Sequence, residues 1–368
     1  MKKKIVISGI NLFQGGPLSI YTDLLDEIVE KKIYLIYDFK LLVHKKVLFS
    51  KYSEYFEIEE FPKSRKNWLI RIFYEYFYFY KYSNNKNIYL WISLHDISPN
   101  VHTQHLITYC HNPSFSYNMN FKDGLLDKKV FLFSKFYKYL YKININKNDF
   151  IIVQQDWMAN EFKKMYKLNE NSVILFPANK TIKVTDLKYN KFQEYTFFFP
   201  SLARPFKNFE VICEAVNILN RKNIRNFKVI LTIDGSENKY STLIVNKYKN
   251  LNNIEFVGLL SREEVFNYYQ KTHCLIFPSK LETWGLPISE AKEFNLPIIA
   301  ADLPYAHETV GNYDKVCFFN CNNANELSNL MEKVINNENI FYYSHYQIKN
   351  KYLCNSWNDI FKIIEKER

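Results

Sequence analysis

Ser279-Lys280-Leu281-Glu282-Thr283-Trp284-Gly285-Leu286-Pro287-Ile288-Ser289-Glu290-Ala291 follows the apolar run Cys274–Pro278 and reads as strand, loop and helix start. Seven residues separate Glu282, in the loop, from Glu290, about a turn and a half into the helix. Gly285 between them lets the backbone come close to whatever binds there. The start of a helix presents free N–H groups and partial positive charge, which suit a phosphate. A glutamate beside it can accept hydrogen bonds from sugar hydroxyls. The competing reading is a helix cap and a solvated helix residue, and spacing alone does not separate the two.

Working outward, apolar strand-length runs alternate with helix-length amphipathic stretches. In the first half the strands read as Lys4–Ile10, Ile33–Phe39, Ile88–Leu94, Leu106–His111 and Phe150–Gln154, with helical patterns clearest at Leu18–Glu30 and Leu125–Tyr141. In the second half they read as Thr196–Ser201, Phe227–Asp234, Ile254–Val257, Cys274–Ser279 and Pro297–Asp302. Such alternation predicts parallel sheets covered by helices. Two sets in succession predict an α/β chain of two doubly wound, Rossmann-like domains facing a cleft. The polar stretch around Pro177–Lys191 is the expected linker. The expected domains are residues 1–180 and 181–340, followed by a C-terminal helix over 341–368 that returns to the first domain.

Three further constellations sit where such sheets place their loops. Phe199-Pro200-Ser201-Leu202-Ala203-Arg204-Pro205-Phe206-Lys207-Asn208 follows the first strand of the second half. Its Arg204 and Lys207 can neutralise a diphosphate, one with a fork of donors and the other with a compact charge. In isolation they equally read as two solvated loop cations. Between the first strand and the first helix, Gly15 and Gly16 can bring backbone amides toward an anion, although the spacing is not that of a dinucleotide fingerprint. In Thr108-Tyr109-Cys110-His111-Asn112-Pro113, His111 ends an apolar strand, and His102 and His105 lie just upstream. A histidine so placed is more often structural.

Composition narrows the classes. The 368 residues are 47% hydrophobic and carry a net charge of +11, with 31 Phe, 29 Tyr and only 8 Gly. That excludes wholesale disorder. No apolar run approaches the ~20 residues of a membrane-spanning helix, and the N-terminus reads as a buried first strand instead of a signal peptide. Residues 1–180 hold 26 Lys and Arg against 17 Asp and Glu, whereas residues 181–368 hold 23 against 21. A charged partner therefore meets the first half. Lys63, Arg65, Lys66 and Arg71 precede the aromatic run Phe73–Tyr80, and Lys135, Lys138 and Lys142 share one helical face. Both features suit an anionic membrane surface or a solvated face over an aromatic core. No recognised nucleic-acid motif accompanies the charge. The six scattered cysteines form no C-x-x-C pair and read as buried thiols, with no metal-ligand spacing.

The Glu282–Glu290 segment, with Gly-Leu-Pro inside it and Ala291 after it, resembles the donor-site signature of retaining glycosyltransferases of the GT-B fold, family 4. That resemblance implies Glu282 facing the donor sugar, Glu290 on the nucleotide ribose, and the backbone of Thr283, Trp284, Gly285 and Leu286 on the diphosphate. It implies Arg204 and Lys207 on the pyrophosphate, though they are closer in sequence than in many members. Gly15 and Gly16 match the N-domain glycine loop, His111 the histidine that touches the donor sugar, and Gly258 with Leu259 the turn that holds the base. Glu282 and His111 are thus the expected catalytic pair. The implied enzyme is a hexosyltransferase that needs no metal, since no Asp-x-Asp occurs in the chain, and no cofactor beyond a nucleotide-diphosphate sugar as co-substrate. The implied acceptor is a glycan or lipid-linked glycan of a bacterial surface polysaccharide or lipopolysaccharide. The implied location is the cytoplasm, at the inner face of the membrane. The alternatives are a GT-B-fold nucleotide-sugar epimerase and a non-catalytic nucleotide-sugar-binding partner of a glycan-synthesis complex.

Overall fold

The computed structural model describes residues 2–177 and 190–366, so most of the expected linker lies outside the described residues. The described chain forms two compact units. One comprises residues 2–112, 136–177 and 349–366, and the other residues 113–135 and 190–348.

Strands are numbered in chain order. The first unit holds β1 (Lys3–Gly9), β2 (Tyr37–Val43), β3 (Glu57–Glu60), β4 (Ile88–Ser93), β5 (His105–Tyr109), β6 (Phe150–Val153), β7 (Val173–Leu175) and, from the end of the chain, β15 (Tyr352–Leu353). They run parallel throughout in the order β15-β7-β6-β5-β4-β1-β2-β3. Parallel strands are covered on both faces, which is why Ile5, Val6 and Ile7 are all buried where an antiparallel strand would alternate. Helix Gly15–Glu30 turns Tyr21, Leu24, Leu25 and Ile28 onto the sheet. Helix Trp357–Lys366 buries Trp357, Ile360, Phe361 and Ile364 in the same core, and Glu27 accepts from the backbone N–H of Trp357 and Asn358 at 2.8 and 3.1 Å. The strand order reverses between β1 and β4, the topological switch point of this sheet.

Three ionisable side chains are buried at that switch point. Arg71 Nη2 lies 3.0 Å from His95 Nδ1 and also donates to the His95 carbonyl. An arginine can only donate, so Nδ1 accepts and the ring proton sits on Nε2. Nε2 lies 3.3 Å from both Ser8 Oγ and Glu75 Oε1. Glu75 is fully buried, and neither of its carboxyl oxygens has a hydrogen-bond partner among the described residues. Burial pushes its pKa up to about 8, against the pull of Arg71. Burial, with Arg71 and His111 nearby, holds His95 well below the usual imidazole range.

The second unit holds β8 (Tyr195–Phe199), β9 (Phe227–Leu231), β10 (Ile254–Phe256), β11 (Cys274–Phe277), β12 (Ile298–Ala301), β13 (Tyr313–Phe319) and β14 (Tyr342–Ser344). Their order is β10-β9-β8-β11-β12-β13-β14, parallel except for β14 against β13. Here the reversal falls between β8 and β11, paired through Cys274 with Phe197 and Leu275 with Phe198. The loops after these two strands hold the Arg204–Lys207 and Glu282 motifs.

Several expectations change. The run Ile33–Phe39 splits into a 3-10 turn at Ile33–Leu35, entered through Lys32 at φ 56°, and a strand that begins only at Tyr37, where Lys3 pairs with it. The helix expected at Leu125–Tyr141 breaks at Asp127 into Phe121–Leu126 and Lys128–Lys142. Asp127 leaves helical geometry at φ −139° and then accepts from Val130 N. The C-terminal segment is helical only from Trp357, with β14 and β15 before it. Residues 113–135 group with the second unit, whereas a boundary at 180 assigns them to the first.

Candidate functional site

The site builds up from the post-β8 loop. Arg204 is extended and precedes a 3-10 turn at Pro205–Lys207, and Asn208 adopts φ 63° to start helix Phe209–Arg221. Asn208 is buried and its amide donates to the carbonyls of Pro278 at 3.2 Å and Cys321 at 2.7 Å. From the post-β11 loop, Lys280 N donates to the Phe206 carbonyl at 2.7 Å. These backbone ties hold the two loops in register, and across them Lys207 Nζ meets Glu282 Oε1 at 2.5 Å. Both side chains are largely buried, so the contact is weakly screened. Arg204, half exposed, pairs at 2.7 Å with Asp127, which is buried.

Gly285 adopts φ 86° at the N-terminus of helix Leu286–Glu293, and a Cβ there would press on the Phe277 ring at 3.3 Å. Proline follows within the first turn, where its missing N–H costs nothing. The loop is pinned on both sides: Thr309 Oγ1 donates to the Trp284 carbonyl, and Trp284 Nε1 donates to Ser289 Oγ at 2.9 Å. Tyr305 OH donates to the Ser279 carbonyl at 2.6 Å. Glu290 is buried one and a half turns in. It accepts from Tyr269 OH at 3.0 Å and lies 3.3 Å from Arg262. Burial pushes its carboxyl up, against the pull of Arg262 and the Tyr269 hydroxyl. Gly258 follows β10 at φ 72°, a left-handed conformation that favours glycine, and a Cβ there would displace the Asp234 carboxylate, whose Oδ2 would lie 2.8 Å away. Leu259 beside it is exposed.

The structure thus brings Lys207 together with Glu282, and sets Arg204, Thr283, Trp284, Gly285 and Leu286 on the same two loops. Glu290, Gly258 and Leu259 belong to the same unit, at helix Leu286–Glu293 and after β10. Gly15, Gly16 and His111 belong to the other unit. Gly15 and Gly16 start helix Gly15–Glu30, just after β1. His111 follows the C-terminal end of β5. His105 instead opens β5, with Nδ1 3.5 Å from Asp149, and the His102 ring packs on Tyr80 at 4.3 Å. Of the three histidines, only His111 therefore lies beyond the strand end at which such sheets bind ligands.

Sequence reasoning missed what holds His111. Asp96, after β4 at the first switch point, is buried at φ 71°. Its Oδ1 accepts from His111 N at 2.8 Å, Asn112 N at 3.1 Å and Tyr141 OH at 2.8 Å, while Oδ2 accepts from Tyr137 OH at 3.0 Å. His111 Nδ1 lies 3.4 Å from the same carboxylate. The available signal was a carboxylate directly after a fully apolar strand. Asp127, Tyr269 and Arg262 were missed for want of any local signal. Among the described residues no group of three His, Cys, Asp or Glu is placed to hold a metal ion, all six cysteines are buried free thiols, and no helix is long and apolar enough to cross a membrane.

Comparison with known proteins adds similarities of sequence and of fold. Residues 185–353 match the family described as glycosyl transferases group 1. The chain is 28% identical over 203 residues to the uncharacterized glycosyltransferase MJ1178 of Methanocaldococcus jannaschii, covering 55% of this chain and 54% of that one. It spans about half the length of the first curated relatives it matches. In fold it is similar to the lipopolysaccharide outer core galactosyltransferase WaaB in its apo form, with a TM-score of 0.63, 10% identity and 100% of each chain covered. It is likewise similar to Anabaena Alr3699/HepE in complex with UDP-glucose, with a TM-score of 0.60, 12% identity, and 91% and 90% of the two chains covered. Two parallel-dominated sheets of this kind are the GT-B fold, and residues 185–353 of the chain are similar to the glycosyl transferases group 1.

Proposed function

We propose that this chain is a retaining glycosyltransferase that moves a sugar from a nucleotide-diphosphate sugar to a glycan or lipid-linked acceptor of a bacterial surface polysaccharide. The observation that carries the reading is the pairing of a two-cation loop with the Glu282 loop at the switch point of the second sheet, where doubly wound sheets bind ligands. Support for the donor class comes from the UDP-glucose complex of HepE, and for the acceptor class from the name of WaaB.

As the glycosidic bond breaks, negative charge develops on the leaving diphosphate. Arg204, Lys207 and the amides of residues 283–286 stabilise that charge, the work a metal ion does in other transferases. Glu290 accepts from the ribose hydroxyls, and the backbone at Gly258 and Leu259 holds the base. Glu282 orients the sugar so that the acceptor hydroxyl attacks the face the nucleotide leaves. Glu282 also holds Lys207, so diphosphate binding would exchange a carboxylate for a phosphate on that ammonium. The roles of His111, Gly15 and Gly16 rest on the family resemblance alone. An epimerase would need further acid and base carboxylates, for which no residues are assigned.

The test is thermal stabilisation by UDP-, GDP-, ADP- and CMP-sugars, with Arg204→Ala and Lys207→Met alongside. A ligand at a hundred times its dissociation constant stabilises by about 2.7 kcal/mol. Each lost charge-assisted contact weakens binding by about ten- to a hundredfold. One nucleotide class should therefore shift wild type, and shift either variant by about half as much or less. No shift with any class overturns the reading. Retained turnover in Glu282→Ala overturns the role of Glu282.

A further inference from the structure

The aromatic face of the first unit is unaccounted for by the chemistry above, and the inference from it stands whether or not the transferase reading holds. Residues 68–83 run as one helical segment, with a π turn at Tyr74–Tyr78 between helices Trp68–Phe73 and Phe79–Ser83. Its inner side buries Arg71, Glu75, Phe79 and Ser83. Its outer side exposes Leu69 (77%), Phe73 (53%), Phe77 (63%) and Tyr80 (46%). Phe73 and Phe77 stack on one another at 6.3 Å, so the face is a continuous apolar strip and not scattered exposure. The Trp68 ring meets Tyr137 edge-on at 6.4 Å, which sets helix Lys128–Lys142 alongside. That helix in turn exposes Phe136 and Tyr139.

Charge decides what covers such a face. Between residues 61 and 95 the only acidic side chain is Glu75, which is fully buried, while Lys63, Arg65, Lys66 and Lys81 are exposed. Between residues 128 and 148 there is no acidic residue, and Lys138 and Lys142 are exposed. A second copy of this chain on the same face would bring these cations against themselves. An anionic surface that also accepts aromatic side chains satisfies both halves of the pattern, because the lysine stems can lie along the apolar strip with their ammonium groups at its rim.

We infer that this face docks the protein onto an anionic lipid bilayer, with Leu69, Phe73 and Phe77 entering the interface and the flanking lysines and Arg65 meeting lipid phosphates. The full chain should float with vesicles of equal parts phosphatidylcholine and phosphatidylglycerol, float poorly with phosphatidylcholine alone, and dissociate as salt rises. Near an anionic surface each basic residue contributes about 1 kcal/mol, so Lys63→Ala with Lys66→Ala should weaken partitioning roughly thirtyfold. Phe73→Ser with Phe77→Ser changes two side chains that are each more than half exposed, and should abolish flotation while leaving the fold and sugar-nucleotide binding in place. Equal binding to both vesicle types, no binding to either, or wild-type flotation by the two double variants overturns the inference. So does a wild-type dimer in sedimentation that Phe73→Ser with Phe77→Ser dissolves, which would assign the face to a second copy.

Discussion

Glu75 gives the sharpest quantitative expectation, because its environment fixes both the sign and the pH window. In the folded protein its carboxyl has no hydrogen-bond partner among the described residues and its pKa rises to about 8, from 4.5 in the unfolded chain. A carboxyl whose folded pKa is raised stabilises the fold below its unfolded value, and that stability is lost as pH rises toward the folded value. His95 runs the other way. Its lowered pKa means the unfolded chain takes up a proton below about 6.5 while the folded ring stays neutral, so acid costs stability there. Below 6.5 the two slopes therefore oppose each other. Between 6.5 and 8 only that of Glu75 remains, at about 1.4 kcal/mol per pH unit. Over that window the wild type should lose on the order of 2 kcal/mol more than Glu75→Gln, which has nothing to titrate. Urea denaturation of both proteins at steps from pH 6 to 9 measures the difference, since every other titrating group is common to the pair. Parallel stability curves for the two proteins between pH 6.5 and 8 would mean that Glu75 is ionised against Arg71 throughout that range, and not protonated.

Glu290 should separate stability from binding. Burial raises its folded pKa and so disfavours the ionised carboxylate, and Glu290→Gln keeps an acceptor for the Tyr269 hydroxyl while Arg262 is already exposed to water. We expect a higher melting temperature and a nucleotide affinity lowered about ten- to a hundredfold, the worth of hydrogen bonds to a charged acceptor. A gain or loss in both together would count against the ribose role. Asp96 is a positioning residue for the His111 loop. Asp96→Asn keeps the shape, and asparagine tolerates the positive φ, but one of two acceptor oxygens becomes a donor. It should fold and lower kcat by about tenfold with little change in the KM for donor, because it acts through His111. A change confined to KM, or none in either, removes Asp96 from that role.

What the sequence disclosed follows from which forces are local. Strands β1, β4, β5, β8, β9, β11 and β12 are read because parallel strands need apolar side chains on both faces, and a run such as Ile5-Val6-Ile7 records that need in the chain itself. Strand β3 escapes the same reading because it is an edge, where Glu57, Glu59 and Glu60 guard an open row of backbone groups and leave no apolar pattern. Strands β7, β14 and β15 span two or three residues, too few for any period. The site divides on the same line. Gly285 with Glu282, and Arg204 with Lys207, are each short segments whose meaning lies in adjacent residues. The groups that hold them come from far along the chain: Asp127 is 77 residues before Arg204, Glu282 is 75 after Lys207, and Asp96 reaches His111 across a strand. The Lys207–Glu282 pairing exists because β8 and β11, adjacent in the sheet, are distant in the sequence, and a doubly wound order guarantees such distance at its switch point. A binding site at a switch point will therefore always show its loops in the sequence and hide what aims them.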